Sequence, residues 1–220
     1  MNLNQTVGIV TGAGQGVGAQ IAQSLAAAGV RVAVNDINPD RAERTAVAIR
    51  QAGGEAIAVA ADVANKFQCV HLIETTRAQW GRLDILVNNA AIMPQSTILK
   101  LDEWEWNRCL EVNLKGTFFM SQLCGRVMAD ENQARGGGVI LNIASTAGVD
   151  LPLENRAAYC ASKAGVIGFS RECAREYAGY GIRVHGLVVD EERPSPPTQI
   201  AQTVLTLCQQ PSAELLHHLA

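Results

Sequence analysis

Six short apolar runs rich in β-branched residues, at residues 7–11, 30–35, 56–60, 83–88, 139–143 and 182–189, alternate with longer stretches of helical period at residues 16–28, 39–52, 66–79, 102–129, 157–178 and 197–209. Strand following helix following strand is the pattern of βαβ units wound into one parallel sheet, and apolar strands of this kind need cover on both faces. The sequence therefore predicts a doubly wound, mostly parallel α/β sheet of about six strands with helices on both faces. With 48% hydrophobic residues, a chain of 220 can fill one sizeable core, so residues 1–220 are read as a single domain. The glycine-rich turn at residues 134–138 and the polar, proline-rich stretch DEERPSPP at residues 190–197 are read as connectors between elements. The tail PSAELLHHLA lacks the β-branched alternation of a strand, so the sixth strand is expected to be the last.

Several function classes are disfavoured. Only 18% of residues are charged and the formal net charge is -3, which provides no basic field for nucleic acid or acidic membrane surfaces. The opening MNLNQTVGIV has no basic segment before an apolar one, and no apolar run approaches the ~20 residues of a membrane span. Cys69, Cys109, Cys124, Cys160, Cys173 and Cys208 form no CxxC pair and are read as reduced thiols of a cytoplasmic protein. His71, His185, His217 and His218 show no metal-ligand spacing, and no metal is expected.

TGAGQGVG, residues 11–18, lies between the first strand and the first helix. Strand, glycine turn and helix start in that order make an anion site, because unpaired amides and the positive helix end face one point. Glycines let a pyrophosphate approach the backbone, as in the Rossmann dinucleotide-binding fold. The second strand ends at Asp36, 18 residues beyond Gly18, where a carboxylate can accept from the adenosine ribose hydroxyls and repel a 2′-phosphate. Gln15 and Ile37 offer no compensating cation, so NAD is the expected cofactor rather than NADP. Asp62 and Val63 after the third strand, and Asn88, Asn89, Ala90 and Ala91 after the fourth, fall on the sheet edge where open α/β sheets bind ligands.

YCASK places Tyr159 and Lys163 about one helical turn apart on one face. A phenol is a poor base at neutral pH unless a neighbouring cation stabilises its phenolate. Ser145 follows the fifth strand in NIASTAG, and Asn113 lies within the long preceding helix in LEVNLKG. These five motifs, in this order, resemble those of the short-chain dehydrogenase/reductase family: Thr11, Gly12, Gly16 and Gly18 of the turn, Asn88 to Ala91, Asn113, Ser145, and Tyr159 with Lys163.

The resemblance runs to about Val188. It implies a hydride transfer between NAD(H) and a small-molecule alcohol or ketone, with Tyr159 exchanging a proton with the substrate oxygen and Ser145 hydrogen-bonding that oxygen. Lys163 would hold the nicotinamide ribose and lower the tyrosine pKa, and Asn113 would hold a relay water. The cofactor set it implies is Thr11, Gly12, Gln15, Gly16, Val17, Gly18, Asp36, Ile37, Asp62, Val63, Asn89, Ala90, Ala91, Tyr159 and Lys163. Homo-oligomerisation through the helices at residues 102–129 and 157–178 is also implied, a dimer being favoured over a tetramer because a last strand is missing. Ile92, Met93, Thr146, Ala147, Leu151 and Leu153 are candidate substrate-lining residues.

The sequence departs from the family where Ala91 replaces a glycine, and where Val189 and Asp190 stand in place of a Pro-Gly pair before a very short connector. The family's closing segment over the substrate is therefore expected to be largely absent, leaving the nicotinamide end open to water. The alternative this raises is a catalytically weak, dinucleotide-binding sensor or interaction protein.

Overall fold

The computed structural model describes residues 1–149, 153–193, 195–209 and 215–219. Seven parallel strands form one sheet in the order β3-β2-β1-β4-β5-β6-β7. They are β1 (Val7–Val10), β2 (Arg31–Asp36), β3 (Ala56–Ala60), β4 (Ile85–Asn88), β5 (Gly138–Ser145), β6 (Ile182–Val189) and β7 (Leu216–Leu219). The helices are α1 (Gly16–Ala27), α2 (Pro39–Gln51), α3 (Lys66–Trp80), α4 (Glu103–Leu110), α5 (Gly116–Glu131), α6 (Ala157–Tyr177) and α7 (Pro197–Gln209).

Alternation along each strand sends residues into two cores. Val10, Val32, Ile85, Val87, Val139 and Leu141 pack with Ile21 and Leu25 of α1, Ile49 of α2, and Ile200 and Val204 of α7. Ile9, Ala33, Leu86 and Ile140 face the other way, onto Leu72 of α3, Met120 and Met128 of α5 and Cys173 of α6. Both faces are covered, which is why the strands read as continuous apolar runs. The strand order reverses direction between β1 and β4, and that switch point opens a crevice at the carboxyl ends of the strands.

Two sequence expectations are corrected. The sheet has seven strands, not six: β7 pairs with β6 from Gly186↔Leu216 to Val189↔Leu219. This edge strand is shaped by its neighbour rather than by propensity, since a Cβ on Gly186 would come within 2.7 Å of Leu216. The long helix expected over residues 102–129 is interrupted by a π-helical turn, Glu111–Lys115, between α4 and α5. The six cysteines are all free. Among the described residues, no helix is long and apolar enough to cross a membrane.

Candidate active site

The switch-point crevice is a cleft of about 390 Å³ lined by Gly12, Gln15, Gly16, Val17, Gly18, Asp36, Ile37, Asp62, Val63, Asn89, Ala90 and Ala91, all of them predicted for the cofactor. Thr11 lies behind it as a brace, its Oγ1 accepting from the amides of Asn89 (3.0 Å) and Ala90 (3.1 Å). Asn89 returns the contact, donating from Nδ2 to the carbonyls of Thr11 (2.9 Å) and Gly12 (3.1 Å). The glycine turn and the end of β4 are thereby locked together.

The cradle fits a dinucleotide. Gly12 has φ +62°, and a Cβ there would stand 2.8 Å from Cα of Ala90, so only glycine allows this approach. Gly16 has φ +57°, with nothing within 4 Å of where a Cβ would point, so the turn presents bare backbone to the cleft. Asn38, Asn65 and Asp102 cap α2, α3 and α4 through their side chains, whereas Gln15 makes no such cap on α1. The first amides of α1 are thus left for an anion.

At the end of β2, Asp36 accepts from the amides of Gly14 (3.1 Å) and Asn38 (2.9 Å). Asp62 accepts from Nη2 of Arg108 at 2.8 Å. Arg41 and Arg108 both line the cleft, and neither was among the residues predicted for it. Arg41 comes from the first turn of α2, five residues beyond Asp36; a reading restricted to the immediate neighbours Gln15 and Ile37 passes over it. A Cβ on Gly14 would stand 2.5 Å from Cβ of Arg41, so the arginine's stem packs directly on the glycine turn.

The four predicted catalytic residues lie around the carboxyl end of β5 and the start of α6. Ser145 ends β5, fully buried, with its Oγ accepting from the Ala147 amide at 3.1 Å. Its hydroxyl faces the Tyr159 phenol and acts to lower its pKa. Lys163, one turn after Tyr159, places Nζ 5.6 Å from the centre of the tyrosine ring and donates to the Ile143 carbonyl at 2.7 Å. Asn113 sits in the π-helical turn. Its Oδ1 accepts from the Ile92 amide (2.8 Å), and its Nδ2 donates to the Ile92 carbonyl (2.9 Å) and to Oγ of Ser162 (2.9 Å). Asn113 therefore pins the segment after β4 to α6, whose Ser162 donates in turn to the Tyr159 carbonyl at 2.7 Å.

Sequence reading missed Glu191. The Tyr159 hydroxyl donates to its Oε1 at 2.5 Å. Glu191 belongs to the short connector, and its signal was present in DEERPSPP, but nothing in the spacing ties residue 191 to residue 159. Two expectations change. Tyr159 is only 5% exposed and Lys163 3%, so these two side chains are shielded from water despite the short connector. The phenol is also held above its ordinary value rather than below it: burial raises it most, the adjacent Glu191 carboxylate raises it further, and the Ser145 hydroxyl opposes them only in part.

Of the candidate substrate-lining residues, Ile92 and Met93 are exposed, while Ala147 and Leu153 pack with Cys109, Ala158 and Tyr159 as a small core. Thr146 is partly buried at the end of β5, and Leu151 lies outside the described residues.

Burial lowers Lys163 from its ordinary 10.5 to about 8, partly offset by the Glu191 carboxylate. Between these values the native chain binds fewer protons than the unfolded one, so Lys163 contributes stability that rises with pH across that window. In chemical denaturation, wild type is expected to gain stability relative to Lys163→Met from pH ~8 to ~10.5. A gap independent of pH would show that Lys163 titrates alike in both states.

The short chain dehydrogenase family model matches residues 6–189. The chain is 39% identical over 183 residues to a D-threitol dehydrogenase from Mycolicibacterium smegmatis, covering 83% of this chain and 68% of that protein. It is 39% identical over 186 residues to a 3-oxoacyl-[acyl-carrier-protein] reductase from Synechocystis, covering 84% and 73%. Among solved structures, a metagenomic short-chain oxidoreductase in complex with NADP superposes with a TM-score of 0.88 at 30% identity, covering 100% of this chain and 97% of that one.

Proposed function

Because the chain belongs to the short-chain dehydrogenase/reductase family of oxidoreductases, we propose that it interconverts an alcohol and a carbonyl, with NAD(H) as hydride carrier and Tyr159 as the proton-transfer group. The observation that carries this reading is the convergence of Ser145, Tyr159 and Lys163 at the strand edge that also bears the uncapped glycine cradle. A nicotinamide cofactor, when bound, supplies or takes the hydride. Gly12 to Gly18 would hold its pyrophosphate, Asp36 the adenosine ribose, and Asp62 and Val63 the wall beside the adenine. Tyr159 gives its proton to the carbonyl oxygen in reduction and takes it back in oxidation, and Ser145 donates to the same oxygen as charge develops on it. Lys163 supports the phenolate electrostatically, and Asn113 fixes the position of the helix that carries both.

The relatives' names span both directions, a sugar-alcohol dehydrogenase and a ketoacyl reductase. Incubation with NAD and a panel of secondary alcohols, and with NADH and the matching ketones, tests the reading through NADH absorbance. A second reading, a dinucleotide-binding sensor with weak turnover, is favoured by one observation: the Tyr159 hydroxyl is already engaged by Glu191. Nucleotide binding without turnover on any panel member would select it.

The preference for NAD rests on Asp36, whose carboxylate sits at the cleft and repels a 2′-phosphate. Arg41 and Arg108 act against it, and the solved neighbour holds NADP. NAD is expected to bind roughly tenfold or more tightly than NADP, a difference of about 1.4 kcal/mol. Asp36→Ala should narrow that gap, as measured by fluorescence titration of both nucleotides; tighter NADP binding to wild type would overturn the assignment.

The protein is proposed to act in the cytoplasm as a homo-oligomer joined through the helical face of α4, α5 and α6, where Leu110, Leu114, Phe118 and Phe169 line an apolar groove. The reason for preferring a dimer to a tetramer no longer holds, since β7 is present at the sheet edge.

A further inference from the structure

Building on the reading of Tyr159 as the proton-transfer group, we propose that Glu191 is a specificity-determining residue, a carboxylate set beside the reacting carbon that admits neutral or cationic substrates and turns away those carrying an anion next to the carbonyl. Three observations support it. The Tyr159 hydroxyl has one hydrogen, which a reacting carbonyl oxygen must receive, and here Oε1 of Glu191 receives it at 2.5 Å. A productive substrate must therefore displace the carboxylate from that hydrogen.

The second observation is that the backbone of the connector is anchored. Asp190 donates its amide to the Leu219 carbonyl at 3.3 Å, extending the β6–β7 pairing by one residue. Its Oδ1 accepts from the amides of Glu192 (2.8 Å) and Arg193 (3.0 Å), folding residues 190–193 into a tight turn. A rotated Glu191 side chain thus stays near the bound substrate rather than leaving with a mobile loop.

The third observation concerns charge. Among the described residues, the groups facing Tyr159 are Ser145 from β5, Lys163 from its own helix, the Cys109 thiol from α4 and Glu191 from the connector. Lys163, buried and hydrogen-bonded to Ile143, is the sole cation among them. One carboxylate already opposes that charge, and a second from a substrate would be left unpaired in a site largely closed to water. Like charges a few ångströms apart in such a site cost enough to change selectivity by roughly tenfold or more.

The test compares wild type, Glu191→Gln and Glu191→Ala on three matched ketones: a neutral one, one with a carboxylate on the adjacent carbon, and one with an ammonium there. In both variants kcat/KM for the anionic ketone, relative to the neutral one, should rise roughly tenfold, mainly through KM, and the advantage of the ammonium ketone should shrink. Independently of turnover, the phenolate absorbance of Tyr159, taken as the difference between each protein and the same protein carrying Tyr159→Phe, should emerge at lower pH in Glu191→Ala than in wild type. An unmoved phenolate titration, or selectivity ratios within about twofold of wild type, overturns the proposal. The titration needs no substrate. A shifted titration with no ketone reduced by any of the three proteins would therefore locate the failure in the oxidoreductase reading and not in the Glu191 contact.

Discussion

Replacing Tyr159 by Phe is expected to lower turnover by about three orders of magnitude, some 4 kcal/mol of transition-state stabilisation, while leaving NAD affinity within about twofold of wild type. The variant removes one oxygen and keeps the ring, which packs with Cys109, Ala147 and Ala158. The backbone anchor of the helix also survives, because Ser162 bonds the Tyr159 carbonyl rather than its side chain. Only the proton donor is lost, and Ser145 remains to polarise the substrate oxygen. Losing the hydroxyl also frees Glu191, so a small change in thermal stability is compatible with the account. Steady-state kinetics paired with NAD titration separates the two effects, and wild-type-like turnover would mean that proton transfer runs through another group.

Gly18→Ala should weaken NAD binding by roughly 100-fold, about 2.7 kcal/mol. Gly18 lies in the first turn of α1, and a Cβ there would press on Nδ2 of Asn89 and on the Gly12 carbonyl oxygen, closer than real Cβ atoms approach. Those two atoms are themselves hydrogen-bonded to each other at 3.1 Å. The methyl group therefore has to break the brace between the glycine turn and the end of β4, and the crevice loses its shape. Calorimetric titration of NAD reads the effect directly, and circular dichroism separates it from unfolding. Unchanged affinity would show that the turn reshapes freely, contrary to the packing.

Legibility from sequence followed the locality of the signal. The first six strands and their helices were readable because buried parallel strands are apolar throughout, and β5, buried at every position, is the clearest case. The cofactor cradle was readable because its glycines, Asp36 and Asp62 are tied to strand ends by short spacings. β7 was not readable, since its residues LHHL pair only through a neighbour some 30 positions earlier and one glycine there makes the space. The π-helical turn at Asn113 was not readable, because a single five-residue turn is too short for its wider i→i+5 spacing to stand out from a 3.6-residue period. Arg41, five residues beyond Asp36, was missed by looking no farther than the immediate neighbours, whereas Glu191 reaches Tyr159 only through the fold, from the connector after β6 to α6. The contact that buries the Tyr159 hydroxyl was not readable either, because the length of a connector says nothing of what one side chain within it touches.

This chain is proposed to move a hydride between a nicotinamide and a carbonyl carbon with Tyr159 supplying the proton. The most direct measurement uses NADH carrying deuterium at the reactive nicotinamide carbon, with a panel of neutral ketones and mass analysis of the products, for wild type and Tyr159→Phe side by side. The account predicts an alcohol with deuterium on the former carbonyl carbon from wild type, and about a thousandfold less of it from Tyr159→Phe. Equal label from both proteins would contradict the role of Tyr159. Tight NADH binding with no labelled alcohol from either would contradict the oxidoreductase itself.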